Sequence, residues 1–365
     1  MPALTFGFVG LGLIGGSIAK AVRQTMPDSK IIAYDINSDT LSLAQKEGIA
    51  DIVLSKIDDS FGQCDYLFLC APVSKNDENL KTLAGLTGKD CTITDVGSVK
   101  TDIHSHIDEL GLSSRFIGGH PMAGSERIGY QNSKAVLLEN AYYILTPAKE
   151  VPLKKVTAYQ NLVEKLGAIP LILSFSEHDY VTAAISHLPH VIASSLVNLV
   201  QDSDSESGIM KMIAAGGFKD ITRIASSSPV MWQQICLTNT ENIISLLDDY
   251  IRALTVIKEK LEIRDAAALF EFFEKARNYR ESFIEASSGP IKKTYSLTVD
   301  ILDKTGSLAS VATLLAENNI NIKNIGIVHN REFEAGTLRI EFYEEISIEQ
   351  AASVLEGKGY SVHRK

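Results

Sequence analysis

The chemistry-bearing stretch of this chain is Gly118-Gly119-His120-Pro121-Met122-Ala123-Gly124-Ser125-Glu126. It sets an imidazole, whose unperturbed pKa of about 6.5 suits proton transfer near neutrality, beside a hydroxyl and a carboxylate. Its glycines let the backbone approach a ligand closely. The run is too irregular for a helix and too glycine-rich for an ordinary strand, so it is expected to be a loop. By itself it reads equally well as a glycine-rich turn with an incidental histidine. Three other clusters give it company. Asp95-Val96-Gly97-Ser98-Val99-Lys100 supplies a second hydroxyl, Ser98, placed to cap a helix starting near Val99. His187 and His190 flank Pro189 on one helical face, as satisfied interior histidines or as the polar wall of a site. They lack an HExxH pattern and a third ligand, so no metal is expected. Gly216-Gly217 leads into Lys219 and Arg223, four residues apart, ahead of Trp232, the only tryptophan. Arg223 can hold a carboxylate through two parallel hydrogen bonds, although an exposed charged face explains the same spacing.

The elements that must position these groups begin at the N-terminus. An apolar strand, Leu4 to Val9, runs into Gly10-Leu11-Gly12-Leu13-Ile14-Gly15 and then a helical pattern. A second strand, Lys30 to Tyr34, ends at Asp35, 20 residues after Gly15. This is the dinucleotide fingerprint in full context. Gly10 allows the tight turn, Gly12 lets backbone approach a pyrophosphate, and Gly15 lets helix and strand pack closely. The helix N-terminus faces the phosphates, with Leu11, Leu13 and Ile14 in the same turn. Asp35 accepts hydrogen bonds from ribose hydroxyls and repels a 2′-phosphate, favouring NAD over NADP; the plainer reading is a loop acid before a helix capped by Asn37 or Ser38. Strands at Asp65 to Cys70, Cys91 to Asp95, Phe116 to Gly118, Tyr142 to Leu145 and Leu171 to Leu173 continue the βα alternation of a doubly wound, Rossmann-type sheet. Ala71-Pro72 either lines the cofactor cleft or merely ends its strand. Gly10, Ala71, Ser98 and His120 are thus expected at one edge of one sheet, which turns His120 toward the cofactor.

From Ser176 the apolar spacing becomes helical, with Ser176 and Asp179 forming a capping box. Pro189 falls inside the first long helix and is expected to kink it. Residues 240 to 285 read as amphipathic helices of a core and subunit interface. Ala286-Ser287-Ser288-Gly289-Pro290 marks a linker. The rest reads βαββαβ, a ferredoxin-like antiparallel sheet with helices on one face, its first helix capped by Ser307. It holds no catalytic constellation, which points to ligand binding or association. Three domains follow: 1–175, an all-helical 176–288, and 294–365.

With 365 residues, 45% hydrophobic and 22% charged, the chain is an ordinary multidomain globular protein. Its net charge of −10, with no basic block, argues against a nucleic-acid partner. Cys64, Cys70, Cys91 and Cys236 have no metal spacing and suit a reducing cytosol. No leader and no run of roughly 18 apolar residues is found, so a cytoplasmic protein without a membrane partner is expected.

With these motifs read, the chain resembles the prephenate dehydrogenases of tyrosine biosynthesis fused to a C-terminal ACT regulatory domain, over essentially its whole length. The carriers are GLGLIGGS (10–17), DVGSVK (95–100), GGHPMAGSE (118–126), SHLPHVIA (186–193), the segment from Lys219 to Trp232, and LDKTGSLA (302–309). The second and third are the most diagnostic. The resemblance implies NAD-dependent oxidative decarboxylation of prephenate to 4-hydroxyphenylpyruvate and CO2. It implies that His120 takes the ring hydroxyl proton, that Ser98 bonds His120 and that hydroxyl, and that Arg223 clamps a carboxylate. His190, Glu126 and Ser125 would line the pocket, with His187, Lys219 and Trp232 in lesser roles. It further implies a homodimer with intertwined helical domains, and L-tyrosine as effector near Gly306, Ser307, Leu308 and Asn324. The chorismate mutase helices of some relatives are absent ahead of Leu4, so no mutase activity is expected. Arogenate dehydrogenase, with the same mechanism, and a non-catalytic NAD and amino-acid sensor stay open as rival readings. A 3-hydroxyacid dehydrogenase would instead carry a catalytic lysine in its helical domain.

Overall fold

The computed structural model describes residues 3–124, 127–286, 295–302, 304–329 and 336–364. Apolar runs too short for helices form the first sheet: β1 (Thr5–Val9), β2 (Lys30–Tyr34), β3 (Ile52–Leu54), β4 (Tyr66–Leu69) and β5 (Thr92–Asp95). They lie in the order β3-β2-β1-β4-β5, every pair parallel. Residues such as Phe6, Phe8, Leu67 and Phe68 are fully buried, as strands covered on both faces require. The helix Leu13–Thr25 lies close because Gly15 has no side chain; a Cβ there would sit 2.4 Å from the Gly10 carbonyl oxygen. Gly10 has φ +97°, and its Cβ would meet the Ala71 nitrogen at 2.7 Å.

A second, three-stranded sheet follows, with β6 (Ile117–Pro121) antiparallel to β7 (Tyr142–Pro147), which runs parallel to β8 (Ile169–Ile172). Two expectations change here. His120 stands on a strand, paired with Ile144, rather than in a loop. The strand ends expected on one sheet come from two, joined at the parallel bridge between Ile93 and Phe116. The glycines of β6 serve close packing, not looseness. A Cβ at Gly118 would lie 2.3 Å from Thr146 Oγ1, and one at Gly119 would lie 2.7 Å from the Asp95 carbonyl oxygen.

Next comes one continuous helix, Phe175–Ser203, with a π turn at Ala183–His187 that ends two residues before Pro189. The widened turn accommodates the proline where a kink is expected from sequence. By length and composition this helix is apolar enough to cross a membrane, contrary to the hydropathy reading, with only 17% of its apolar window buried. Its cap is Ser174, which accepts from the Glu177 nitrogen, so the Ser176–Asp179 box is not formed. Ser98 likewise caps nothing: the next helix is Thr101–Glu109, and the Asp179 carboxylate accepts from the nitrogens of Lys100 and Thr101. Leu188–Ser203 packs against Gly216–Thr222 and the 3₁₀ turn Arg223–Ser226, ahead of Pro229–Thr238.

The chain divides into two compact units, 1–254 and 255–365. The second holds the helix Ala266–Ala286 and an antiparallel sheet of β9 (Tyr295–Ile301), β10 (Ile322–His329), β11 (Gly336–Phe342) and β12 (Val362–Arg364), in the order β10-β11-β9-β12. The helices Ser307–Glu317 and Ile346–Glu356 complete the strand–helix–strand–strand–helix–strand order. Leu297, Val299, Leu338 and Ile340 pack with Val311, Leu315, Ala351 and Leu355 as its core. The cap of the first helix is Gly306 at φ +90°, and Ser307 makes no capping bond.

Replacing Gly119 by alanine drives a methyl into the Asp95 carbonyl oxygen and Tyr143, both backed by buried sheet. Gly119→Ala is expected to destabilise the first unit by roughly 1–3 kcal/mol, read as a lowered urea midpoint. An unchanged midpoint would mean that β5 and β6 are not held together as described.

Candidate active site

The glycine loop after β1 leaves room where a dinucleotide needs it. A Cβ on Gly12 would meet nothing within 4 Å, whereas those on Gly10 and Gly15 would collide with protein. Gly12 caps the helix Leu13–Thr25 without a side-chain bond and no acid occupies the first turn, so the first N–H groups are left for a phosphate. At the end of β2, Asp35 accepts from the Leu11 nitrogen at 2.7 Å and the Asn37 nitrogen at 2.8 Å. It thus braces the loop, while Asn37 caps the following helix. Ala71 is half-buried and Pro72, exposed, precedes the helix Val73–Ala84. These features fit a bound dinucleotide.

At the end of β5, buried Asp95 gathers the next part of the site. Its carboxylate accepts from the Gly97 nitrogen at 2.8 Å and the Gly119 nitrogen at 3.2 Å, and pairs with buried Lys100. Burial pushes the Lys100 ammonium down and the Asp95 carboxylate opposes it. Ser98 and His120 therefore each stand one residue beyond a backbone N–H held by the same carboxylate. Ser98 is half-buried and has no hydrogen bond to His120 among the described residues.

The His120 ring instead points Nδ1 at His178 Nε2, 2.8 Å away, and His178 Nδ1 lies 2.8 Å from Asp179 Oδ1. His178 and Asp179 are fully buried. His120 is held well below its ordinary pKa, first by burial and then by neighbouring His178, Lys100 and His187. Burial also lowers His178, against its bond to Asp179. Burial alone would raise Asp179, but bonds from His178, Thr101 and Lys100 outweigh it and keep the carboxyl below its usual range. A few residues on, His187 is buried, accepts from Asn239 Nδ2 at 3.1 Å, and is pushed down to about 4, chiefly by burial. His190 donates from Nδ1 to the Ser186 carbonyl and stacks on Trp232 with centroids 3.6 Å apart. His187 meets the same indole edge-on at 6.0 Å. Trp232 Nε1 is buried and has no hydrogen-bond partner among the described residues.

Arg223 opens the 3₁₀ turn beside these rings, close enough that its charge adds to the burial lowering His190. Arg223 and Lys219 are both exposed, with no ion-pair partner among the described residues. Ser125 and Glu126 lie outside the described residues. The structure therefore brings together His120, His187, His190, Trp232 and Arg223, and adds His178, Asp179 and Asn239, which the sequence reading did not select. The adjacent His178-Asp179 pair was the available signal, obscured because Asp179 satisfied a capping pattern.

The family profile described as prephenate dehydrogenase, nucleotide-binding domain, matches residues 18–171, and that described as prephenate dehydrogenase, dimerization domain, matches residues 174–275. A prephenate dehydrogenase of Bacillus subtilis is 38% identical over 358 residues, 97% of this chain and 96% of its own length. The chain belongs to the prephenate dehydrogenase family. It is an NAD-dependent oxidoreductase, and NAD is its cofactor. Among solved structures, prephenate dehydrogenase from Aquifex aeolicus in complex with hydroxyphenyl propionate and NAD+ superposes with a TM-score of 0.73 and 34% identity, covering 78% of this chain and 99% of that one. Arogenate dehydrogenase of Synechocystis gives 0.69 and 26%, covering 77% and 100%.

As the sole tryptophan lies against His190, its emission reports that ring. Protonating His190 places a cation on the indole face and is expected to quench it. Because burial and Arg223 lower His190, the quench should set in below about pH 6.5. His190→Gln should abolish the step; a step that survives would separate the two rings.

Proposed function

We propose that this enzyme oxidatively decarboxylates prephenate to 4-hydroxyphenylpyruvate and CO2, with His120 as base. The observation that carries this reading is a neutral, partly buried imidazole at the carboxyl end of β6, tied through Asp95 to the nucleotide-binding sheet. When bound, NAD would supply the acceptor for the hydride of the C–H bond at the hydroxyl-bearing ring carbon. His120 takes the hydroxyl proton as that C–H bond breaks. Loss of the ring carboxylate as CO2 leaves its bonding electrons in the ring, which becomes aromatic. His120 then returns the proton to the phenolate oxygen, so no net proton is released. A placed base contributes on the order of 10² to 10⁴ in rate. Ser98, on the neighbouring turn, would orient the hydroxyl.

Prephenate is a dianion, and a chain of net charge −10 must answer it with local cations. Arg223, beside His190 and Trp232 and without an ion-pair partner among the described residues, fits a carboxylate. Lys219 would border the same pocket, and the Trp232 N–H, without a partner among the described residues, is a further donor for it. Asp35, braced against the glycine loop, would favour NAD over NADP. The 38% identity with a prephenate dehydrogenase over nearly the whole chain supports prephenate as substrate. Arogenate is the second reading, supported by the likeness to an arogenate dehydrogenase.

We also read the enzyme as a cytoplasmic homodimer. Ile209, Met212, Ile213, Leu237 and Ile244 are exposed within the match to a dimerization domain, and the apolar face of Phe175–Ser203 is little covered by its own chain. The C-terminal sheet is read as an ACT domain sensing tyrosine. An open groove of about 600 Å³ borders Gly306 and is lined by Ser310, Glu317, Lys358 and Tyr360, offering both charges to an amino acid. Ser307, Leu308 and Asn324 do not line it.

The test is NADH formation from NAD with prephenate or arogenate, each with and without tyrosine. Turnover with prephenate is expected to dominate; a preference for arogenate would replace the substrate. His120→Asn should lose on the order of 10² to 10⁴ in kcat, and normal turnover would remove His120 as base and revive the sensor reading. Arg223→Ala should raise KM about 10- to 150-fold, equivalent to the about 1.5–3 kcal/mol of a charged hydrogen bond. An unchanged KM would leave the carboxylate without its clamp.

A further inference from the structure

We propose that Asp179 and His178 fix the ring tautomer of His120, leaving its Nε2 as the bare nitrogen that receives the substrate proton. Both are positioning residues, and the inference rests on the reading of His120 as base.

The assignment follows from counting donors. An ionised carboxylate only accepts. Asp179 Oδ1 accepts from the Lys100 nitrogen and faces His178 Nδ1, each at 2.8 Å. Its Oδ2 accepts from the Thr101 nitrogen at 2.8 Å and the Thr101 hydroxyl at 2.5 Å. His178 must therefore donate from Nδ1. A neutral imidazole carries one N–H, so His178 Nε2 accepts. Its partner there is His120 Nδ1 at 2.8 Å, which must donate. His120 then has no proton on Nε2. An unanchored histidine in water favours the opposite form, with the proton on Nε2 and no lone pair there to offer.

The chain is rigid because its far end is structural. Asp179 holds the first N–H groups of the helix Thr101–Glu109, and Asn239 Nδ2 donates to its backbone carbonyl at 2.8 Å. The charged groups around the rings reinforce the protonation states. Lys100 is answered by Asp95, so Asp179 is left as the anion facing His178. Once His120 has taken the proton, the resulting imidazolium keeps its Nδ1–H on His178, and that ring relays the buried carboxylate's field to it. The arrangement parallels the acid that orients the histidine of a serine protease, with a second imidazole interposed.

Two kinds of measurement test this on the full-length enzyme saturated with NAD. Ring ¹⁵N shifts of histidine-labelled protein should place the His120 proton on Nδ1; a proton on Nε2 overturns the proposal. In kinetics, His178→Phe should lower kcat about 10- to 100-fold while KM for substrate and NAD stays within about twofold. His178→Gln keeps an N–H for Asp179 and a carbonyl for His120, and should recover most of that loss. Folded Phe and Gln variants with equal kcat would reduce His178 to packing and end the proposal. Asp179→Asn offers an N–H where a carboxylate stood, inviting the reversed tautomer, and should lose on the order of 10² to 10⁴ in kcat. Because it also disturbs a helix start, the His178 pair decides if it fails to fold. His120→Asn separates the two readings: if it turns over normally while the wild-type shifts still show Nδ1–H, the base assignment fails and the tautomer assignment stands.

Discussion

Everything in the first unit depends on buried carboxylates that hold backbone rather than solvent. Asp95 is 2% exposed, yet it joins the turn of Ser98, the strand of His120 and the ammonium of Lys100. Such a charge is tolerable because both carboxylate oxygens accept hydrogen bonds and one faces an ammonium; removing one partner of a buried pair typically costs about 3–5 kcal/mol. Asp179 repeats the device one layer away, tying the start of one helix to the long helix that carries His178. Two anions thereby position His120 in a pocket that, on the proposed function, must also receive an anion. They can do so because their charge is spent locally, on N–H groups and a lysine, before it reaches the pocket.

Much of this was legible in the residues. The cofactor half was readable because each fingerprint glycine answers one steric demand, and Gly10, Gly12 and Gly15 meet three different ones here. The βαββαβ order of the last 70 or so residues was readable from alternation and turns alone. The site was harder. Gly118 and Gly119 looked like loop residues because local pattern cannot distinguish a flexible glycine from one pressed against a neighbouring strand. Ser98 and Ser176 looked like caps because the competing acceptors, Asp179 and Ser174, win by tertiary position or by two residues of register. His178 carried only the faint mark of an adjacent acid, because its contact with His120 forms only once β6 is laid beside the long helix.

The same tertiary logic explains the π turn. His178 and His187 are nine residues apart, which is about 2.5 turns of an ideal helix and puts them on opposite faces. Absorbing one residue in a widened turn leaves about 2.2 turns and swings the second histidine back toward the first. Asn239 then spans the gap, donating to the Asp179 carbonyl at 2.8 Å and to His187 Nδ1 at 3.1 Å. Pro189, which has no N–H to give the preceding turn, favours the irregularity at that point. A regular helix would bury one histidine cluster and expose the other. With the wide turn, one helix presents His178 to His120 and His187 and His190 to Trp232 and Arg223, so a single element joins both groups of side chains.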